Sequence, residues 1–205
     1  MDDLIVPIVS VNIGQQEELG TRNDRKVYSG IHKLPLIGGG DIYLDKEGLH
    51  GDIQVDERVI RGKRVHGGPL KALYVLPRDH YAQWALELGR PLAPGAFGEN
   101  VTVDDVTEAD VRIDERWVWG DALLRVTGPR RPCYKLDMHL GEGTAQAMMA
   151  NGRCGWYFEV LEPGMVPTSG SMQVVHRPPD GATVLEVFRE KVRLDSTIPD
   201  MPLDA

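Results

Sequence analysis

Glycine and proline punctuation decides what this chain can fold into: 23 glycines and 14 prolines are spread over 205 residues, and the apolar runs between them are short. No run approaches the roughly 18 apolar residues of a membrane span, and few are long enough for an extended helix. Stretches 4–13, 72–76, 100–103, 111–119, 122–127, 155–161 and 171–176 are rich in Val, Ile and aromatic residues and read as strands. Gly38-Gly39-Gly40 and Gly48 to Gly51 mark turns, and Gly120-Asp121 reads as a hairpin turn. Helical spacing appears from Pro77 to about Leu88, where Tyr81, Trp84, Ala85 and Leu88 share one face and Gly89 stops the helix. A second helix spans 144–150, closed by Asn151-Gly152. Thr183 and Glu186 form a capping-box signature for a third over 184–192. Many short strands and few helices predict a mainly β fold, a barrel-like curled mixed or antiparallel sheet, and not a doubly wound α/β fold.

Two cysteines, Cys133 and Cys154, are too few for a disulfide framework or a structural zinc site. No His pair has metal-ligand spacing, and neither a G-x-S-x-G elbow nor a Walker sequence is present. The acidic start Met1-Asp2-Asp3-Leu4 does not read as a secretory signal, so a cytoplasmic protein is expected.

The formal charge of −8 argues against a nucleic-acid polymer as partner. Its distribution says more than its sum. Residues 61–78 carry five Lys or Arg and no acid, and residues 122–136 carry four and no acid. Cations gathered in two segments of an acidic chain point to a local anion site. In the first segment, Gly67 and Gly68 let the backbone approach a ligand, while Arg64, His66 and Lys71 offer charge-assisted bonds. A glycine turn leading into a strand is the alternative. In the second segment Cys133 lies among Pro129, Arg130, Arg131, Pro132 and Lys135, a setting that suits a reactive thiolate on a shaped loop. Cys154, followed by Gly155-Trp156-Tyr157-Phe158, reads as a packing residue. Between the two segments, Phe97-Gly98-Glu99-Asn100 reads either as a substrate-positioning turn or as a plain turn with Phe97 plugging the core.

Taken in order, Ile31-His32-Lys33-Leu34-Pro35, Gly48-Leu49-His50-Gly51-Asp52, His66-Gly67-Gly68-Pro69 with Lys71, Phe97-Gly98-Glu99-Asn100, Gly120-Asp121 and Pro129-Arg130 with Pro132-Cys133-Tyr134-Lys135-Leu136 resemble a MOSC domain. This is the domain named from the C-terminal part of molybdenum-cofactor sulfurases, and the stand-alone bacterial YiiM-type branch is the nearest in pattern. The resemblance implies a β-barrel fold and a molybdenum cofactor of the molybdopterin type. Cys133 then becomes metal ligand and catalytic residue, and Arg64, His66, Lys71, Asn100, Arg130 and Lys135 become cofactor contacts. It also implies reduction of small N-hydroxylated compounds with electrons from a separate donor protein, no membrane association, and a homodimer left open. Two alternatives stay open: a sulfur carrier using a Cys133 persulfide, and a non-catalytic module that binds an anionic ligand. Residues 1–177 are assigned to the domain and 178–205 to a short helical extension, truncated relative to the three-helix module of that branch.

Overall fold

The computed structural model describes residues 4–53, 59–60, 63–64 and 67–196. Seven strands close on themselves: β1 (Ile5–Gly14), β2 (Leu73–Pro77), β3 (Val101–Val103), β4 (Arg116–Trp119), β5 (Ala122–Pro129), β6 (Trp156–Glu162) and β7 (Gly170–His176). Around the barrel the order is β1-β3-β2-β6-β5-β4-β7 and back to β1. Every pair is antiparallel except β2 with β3, where Val75 faces Val101 in parallel register. The barrel expected from the sequence is therefore the fold found, with a mixed sheet.

The β2 segment shows why its apolar run is unbroken. Leu73 and Val75 point into the barrel with Trp117, Trp156 and Phe158. Tyr74 and Leu76 point outward into a second core with Trp84, Phe97, Leu136 and Met148. A strand covered on both faces has no solvent side and so no polar alternation. Four helices cover the outside: α1 (Asp79–Leu88), α2 (Tyr134–Leu140), α3 (Thr144–Asn151) and α4 (Val184–Ser196). Outside the barrel, Lys33–Pro35 pairs with the far end of β1, so that Lys33 faces Gly14. Asp41–Asp45 lies between Gly48–Leu49 and Gly164–Pro167 in a three-stranded sheet.

Some boundaries differ from the sequence expectation. The strand expected over 111–119 shrinks to β4, because Asp114 adopts a left-handed φ of 65°. Pro77 still belongs to β2, opposite Val103, and α1 begins at Asp79. Pro129 does not break a central strand but ends one, opposite Trp156. Cys133 is not on a free-standing loop: it is the N-cap of α2, a helix whose start the two prolines obscured. The hairpin joining Glu17–Arg22 to Arg25–Ser29, turned by Asn23 and Asp24 at φ 49° and 60°, was not expected. Its two left-handed residues carry the strand twist around a two-residue turn.

The capping box is present in full. The Thr183 backbone N–H donates to Glu186 Oε2 at 2.8 Å, and Glu186 N–H donates to Thr183 Oγ1 at 3.1 Å. Thr183→Ala should lower stability by about 1 kcal/mol. Urea unfolding checks this, and an unchanged midpoint would mean that the buried Val184 and Phe188 hold α4 without the cap.

Candidate functional site

A half-open pocket of about 720 Å³, counting its mouth, opens where β2, β5 and the start of α2 meet. Its wall brings together Lys71, Asn100, Arg130, Cys133 and Lys135, five of the seven residues singled out from the sequence. Of the other two, Arg64 lies on a two-residue strand, Lys63–Arg64, whose side chains fall outside the described residues. His66 lies outside them altogether.

Each member is placed by local structure. Cys133 sits half-buried in extended backbone (φ −136°, ψ 171°), its carbonyl accepting from Leu136 N at 2.9 Å as the helix begins. It is in no disulfide. Lys71 ends a short 3-10 turn, Pro69–Lys71, and the Thr127 hydroxyl donates to Leu70 O at 2.6 Å, fastening that turn to β5. Arg130 follows β5 directly and is only 6% exposed. Gly98 brings its own loop against the rim: a Cβ there would lie 2.8 Å from Ile31 Cγ1, at a φ of 81° that side chains rarely adopt.

The back wall is one hydrogen-bonded chain. Lys33 Nζ pairs with Asp52, and both side chains are buried. Asp52 also accepts from Gly14 N–H at 2.8 Å and from Asn100 Nδ2 at 2.8 Å. Asn100 Oδ1 accepts from Tyr74 N–H at 3.1 Å. Tyr74 Oη donates to Cys154 O at 2.9 Å and accepts from Arg130 Nη1 at 3.2 Å. Arg130 lies 4.6 Å from the Tyr74 ring centroid, and Lys71 Nζ lies 5.8 Å from that of Tyr157. Lys33, Asp52, Tyr74 and Tyr157 were not picked as site residues. Lys33 and Asp52 stood inside motifs already noted. Tyr74 and Tyr157 were hidden in apolar runs.

Charge in this wall is uneven. Burial lowers the Lys33 pKa against the pull of Asp52. Burial also lowers that of Lys71, helped by the nearby Lys191 and opposed by Cys133. Burial holds the Tyr74 and Tyr157 phenols above their ordinary range, so both stay neutral. For Arg130 burial opposes the charge, but Tyr74, Tyr157 and Cys133 outweigh it and the guanidinium stays protonated. Cys154 also lies in its field, and among the described residues no carboxylate forms an ion pair with it. A buried cation without a carboxylate beside it is costly unless an anion joins it. Cys154 is fully buried, and desolvation pushes its thiol well up, so it packs and does not react. Among the described residues no three His, Cys, Asp or Glu side chains gather to hold a metal ion, and no helix is long and apolar enough to cross a membrane.

Comparison with known proteins agrees with this geometry. The profile of the MOSC domain matches residues 62–172. Protein YiiM of Escherichia coli (strain K12) is 40% identical over 157 residues, which cover 74% of this chain and 66% of that protein. A protein named Reductase from Gibberella moniliformis is 31% identical over 157 residues, 73% of this chain but only 26% of its own length. The crystal structure of YiiM from Geobacillus stearothermophilus superposes with a TM-score of 0.71 at 29% identity, over 92% of this chain and 85% of that one.

Proposed function

Because the chain belongs to the MOSC domain family, in its YiiM-like branch, we propose that it is a molybdenum-cofactor enzyme that reduces N–O bonds in small N-hydroxylated compounds, with Cys133 as the protein's ligand to the metal. MOSC domains are in general associated with that cofactor. The observation that carries the reading is the buried Arg130, which has Tyr74, Tyr157, Cys133 and Cys154 around it and no carboxylate ion pair among the described residues.

The donor set fits such a group. A phosphate-bearing cofactor needs cations, and Lys71, Arg130, Arg131 and Lys135 line the pocket. A metal that arrives with its own sulfur ligands needs one soft protein donor and no cluster of three, and Cys133 offers one. In this assignment Arg130 and Lys71 hold the anionic end, Cys133 Sγ meets the metal, and Lys33-Asp52-Asn100-Tyr74 keeps the wall rigid. Ile31 and Ile53 give the mouth an apolar side. When bound, the cofactor supplies a two-electron centre for R–NHOH + 2 e⁻ + 2 H⁺ → R–NH₂ + H₂O. The chain carries two cysteines, too few for a ferredoxin-type cluster, so its electrons come from a separate protein. The distant fungal relative named Reductase supports the reaction class.

Protein made in cofactor-competent cells should carry molybdenum and pterin in near-equal amounts, and protein from cofactor-deficient cells should carry neither. Elemental analysis and pterin fluorescence measure both. Protein from competent cells that lacks molybdenum and pterin but bears a sulfane adduct on Cys133 would overturn the reading in favour of sulfur transfer.

A further inference from the structure

Behind the pocket wall, separate stretches of chain meet at one buried carboxyl group, that of Glu108. His80 Nε2, from the first turn of α1, bonds its Oε2 at 2.7 Å, and Gly155 N–H, just before β6, donates to its Oε1 at 2.5 Å. The backbone of Glu108 is used as well, its carbonyl accepting from Leu185 N–H of α4 at 2.9 Å. The turn that presents Glu108 is closed by its neighbours: Thr107 N–H and Oγ1 donate to Asp110 Oδ2 at 2.9 and 2.7 Å.

Gly155 has no latitude of its own. At a φ of 66° it lies so tight against β2 that a Cβ there would stand 2.0 Å from Val75 O and 2.8 Å from Tyr74 Cε2. The two carbonyls at this corner serve the pocket wall. Cys154 O accepts from the Tyr74 hydroxyl at 2.9 Å, and Gly155 O accepts from Arg130 N–H at 3.2 Å. Tyr74 Oη in turn accepts from Arg130 Nη1 at 3.2 Å. Arg130 is thus held twice from the same corner, once by its backbone and once by its guanidinium.

None of His80, Glu108 and Gly155 lines the pocket, so they act on its contents only through others. A buried carboxyl group is costly to desolvate unless its bonds are in place, and one backbone N–H could be met by a neutral acceptor. Tying α1 and the start of β6 to one point takes a side chain with two acceptor oxygens.

We propose that Glu108, braced by His80, is a positioning residue of the anion site: it locks the corner 153–155 and through it sets Tyr74 and Arg130 for an anionic ligand. This rests on the reading that Arg130 holds the anionic end of a cofactor, and the first measurement does not depend on that reading.

Isotope-labelled, full-length protein from cofactor-deficient cells gives a nuclear magnetic resonance signal for Arg130 Nε–H, assigned by its loss in Arg130→Lys. In Glu108→Ala that signal should shift. It should stay in place in Glu108→Gln, whose amide oxygen still accepts from Gly155 N–H while its NH₂ faces His80. It should also stay in Met172→Ala, a truncation in the barrel core that lowers stability without touching this corner. The same proteins are then titrated with inorganic phosphate. Glu108→Ala should bind about tenfold more weakly, less than the roughly hundredfold that a displacement of about 1 Å can cost, and Glu108→Gln should stay within about twofold of wild type. Met172→Ala should bind as wild type does. Glu108→Asp, one methylene too short to reach both partners, serves if the alanine variant does not fold and should bind about threefold more weakly. An Arg130 signal or a phosphate affinity unchanged in the shortened variants, or changed as far in Met172→Ala, would overturn the inference. Wild-type protein that binds no phosphate would overturn it too, whether or not it carries pterin. Phosphate binding that depends on Glu108, in a protein that never carries pterin when made in cofactor-competent cells, would uphold the inference and reject the cofactor reading.

Discussion

Cys133→Ser protein from cofactor-competent cells should keep its fold and its pterin and lose reductive turnover by about a thousandfold or more, a barrier increase of about 4 kcal/mol. The loss follows from ligand chemistry. A serine hydroxyl is a hard donor that stays protonated at neutral pH, whereas a thiolate is soft and ionises readily. The fold should survive because of where the residue sits. Cys133 is the N-cap of α2 in extended backbone and makes no side-chain capping bond, and serine is among the preferred N-cap residues. An unfolding midpoint at or slightly above wild type therefore separates lost chemistry from lost structure. Turnover of an amidoxime probe within tenfold of wild type, with metal retained, would remove Cys133 from the reaction.

Glu99→Ala should cost about 4–5 kcal/mol of stability, the largest single effect expected outside the pocket lining. Its carboxylate is fully buried and collects four donors. Oε1 accepts from the Tyr81 hydroxyl, from Gly95 N–H at 2.8 Å and from Thr102 Oγ1 at 2.9 Å, and Oε2 accepts from Phe97 N–H at 3.1 Å. Truncation strands all four, at about 1–3 kcal/mol each before water enters. Glu99→Gln keeps the shape but turns an amide N–H₂ toward one of the donors, so about 2 kcal/mol is expected. Denaturant unfolding checks both, and a Glu99→Ala loss below about 1 kcal/mol would show that the carboxylate is not what holds the loop.

Glu99 also makes stability depend on pH in a definite direction. Burial raises its pKa against the four hydrogen bonds. An acid with a higher pKa folded than unfolded binds more protons in the folded state. Its contribution to stability is therefore fully present below the ordinary carboxyl pKa and is lost as pH rises through the folded value. In Glu99→Gln that component should vanish, so the difference between variant and wild type should change with pH across the window above about 4.5.

The sequence expectation was strongest where one physical constraint acts alone. The run 72–76 announced a strand, found buried on both faces, and Thr183 with Glu186 announced a helix start whose capping bonds are present. Reading was weaker where two constraints compete. Pro129 and Pro132 hid both the end of a central strand and the start of α2, since proline is tolerated at the edges of elements as well as between them. Glu99 looked able to meet a substrate, yet it is fully buried and both its oxygens already accept from donors on α1, β3 and its own loop. Lys33 and Asp52 could not be joined from the sequence, because their meeting depends on β1 bringing Gly14 between them. The pairing of Gly164–Pro167 with Asp41–Asp45 likewise links residues far apart in the chain, and local propensity carries no record of that.

The neighbours of β1 have a consequence for biosynthesis. β1, first of the seven in chain order, hydrogen-bonds to β7, the last, so the cylinder stays open until residue 176 has been made. Long-range pairing of this kind is slow to form. Lys71, just before β2, and Arg130, just after β5, reach their final positions only at that late stage, so a ligand that needs both meets a nearly closed barrel.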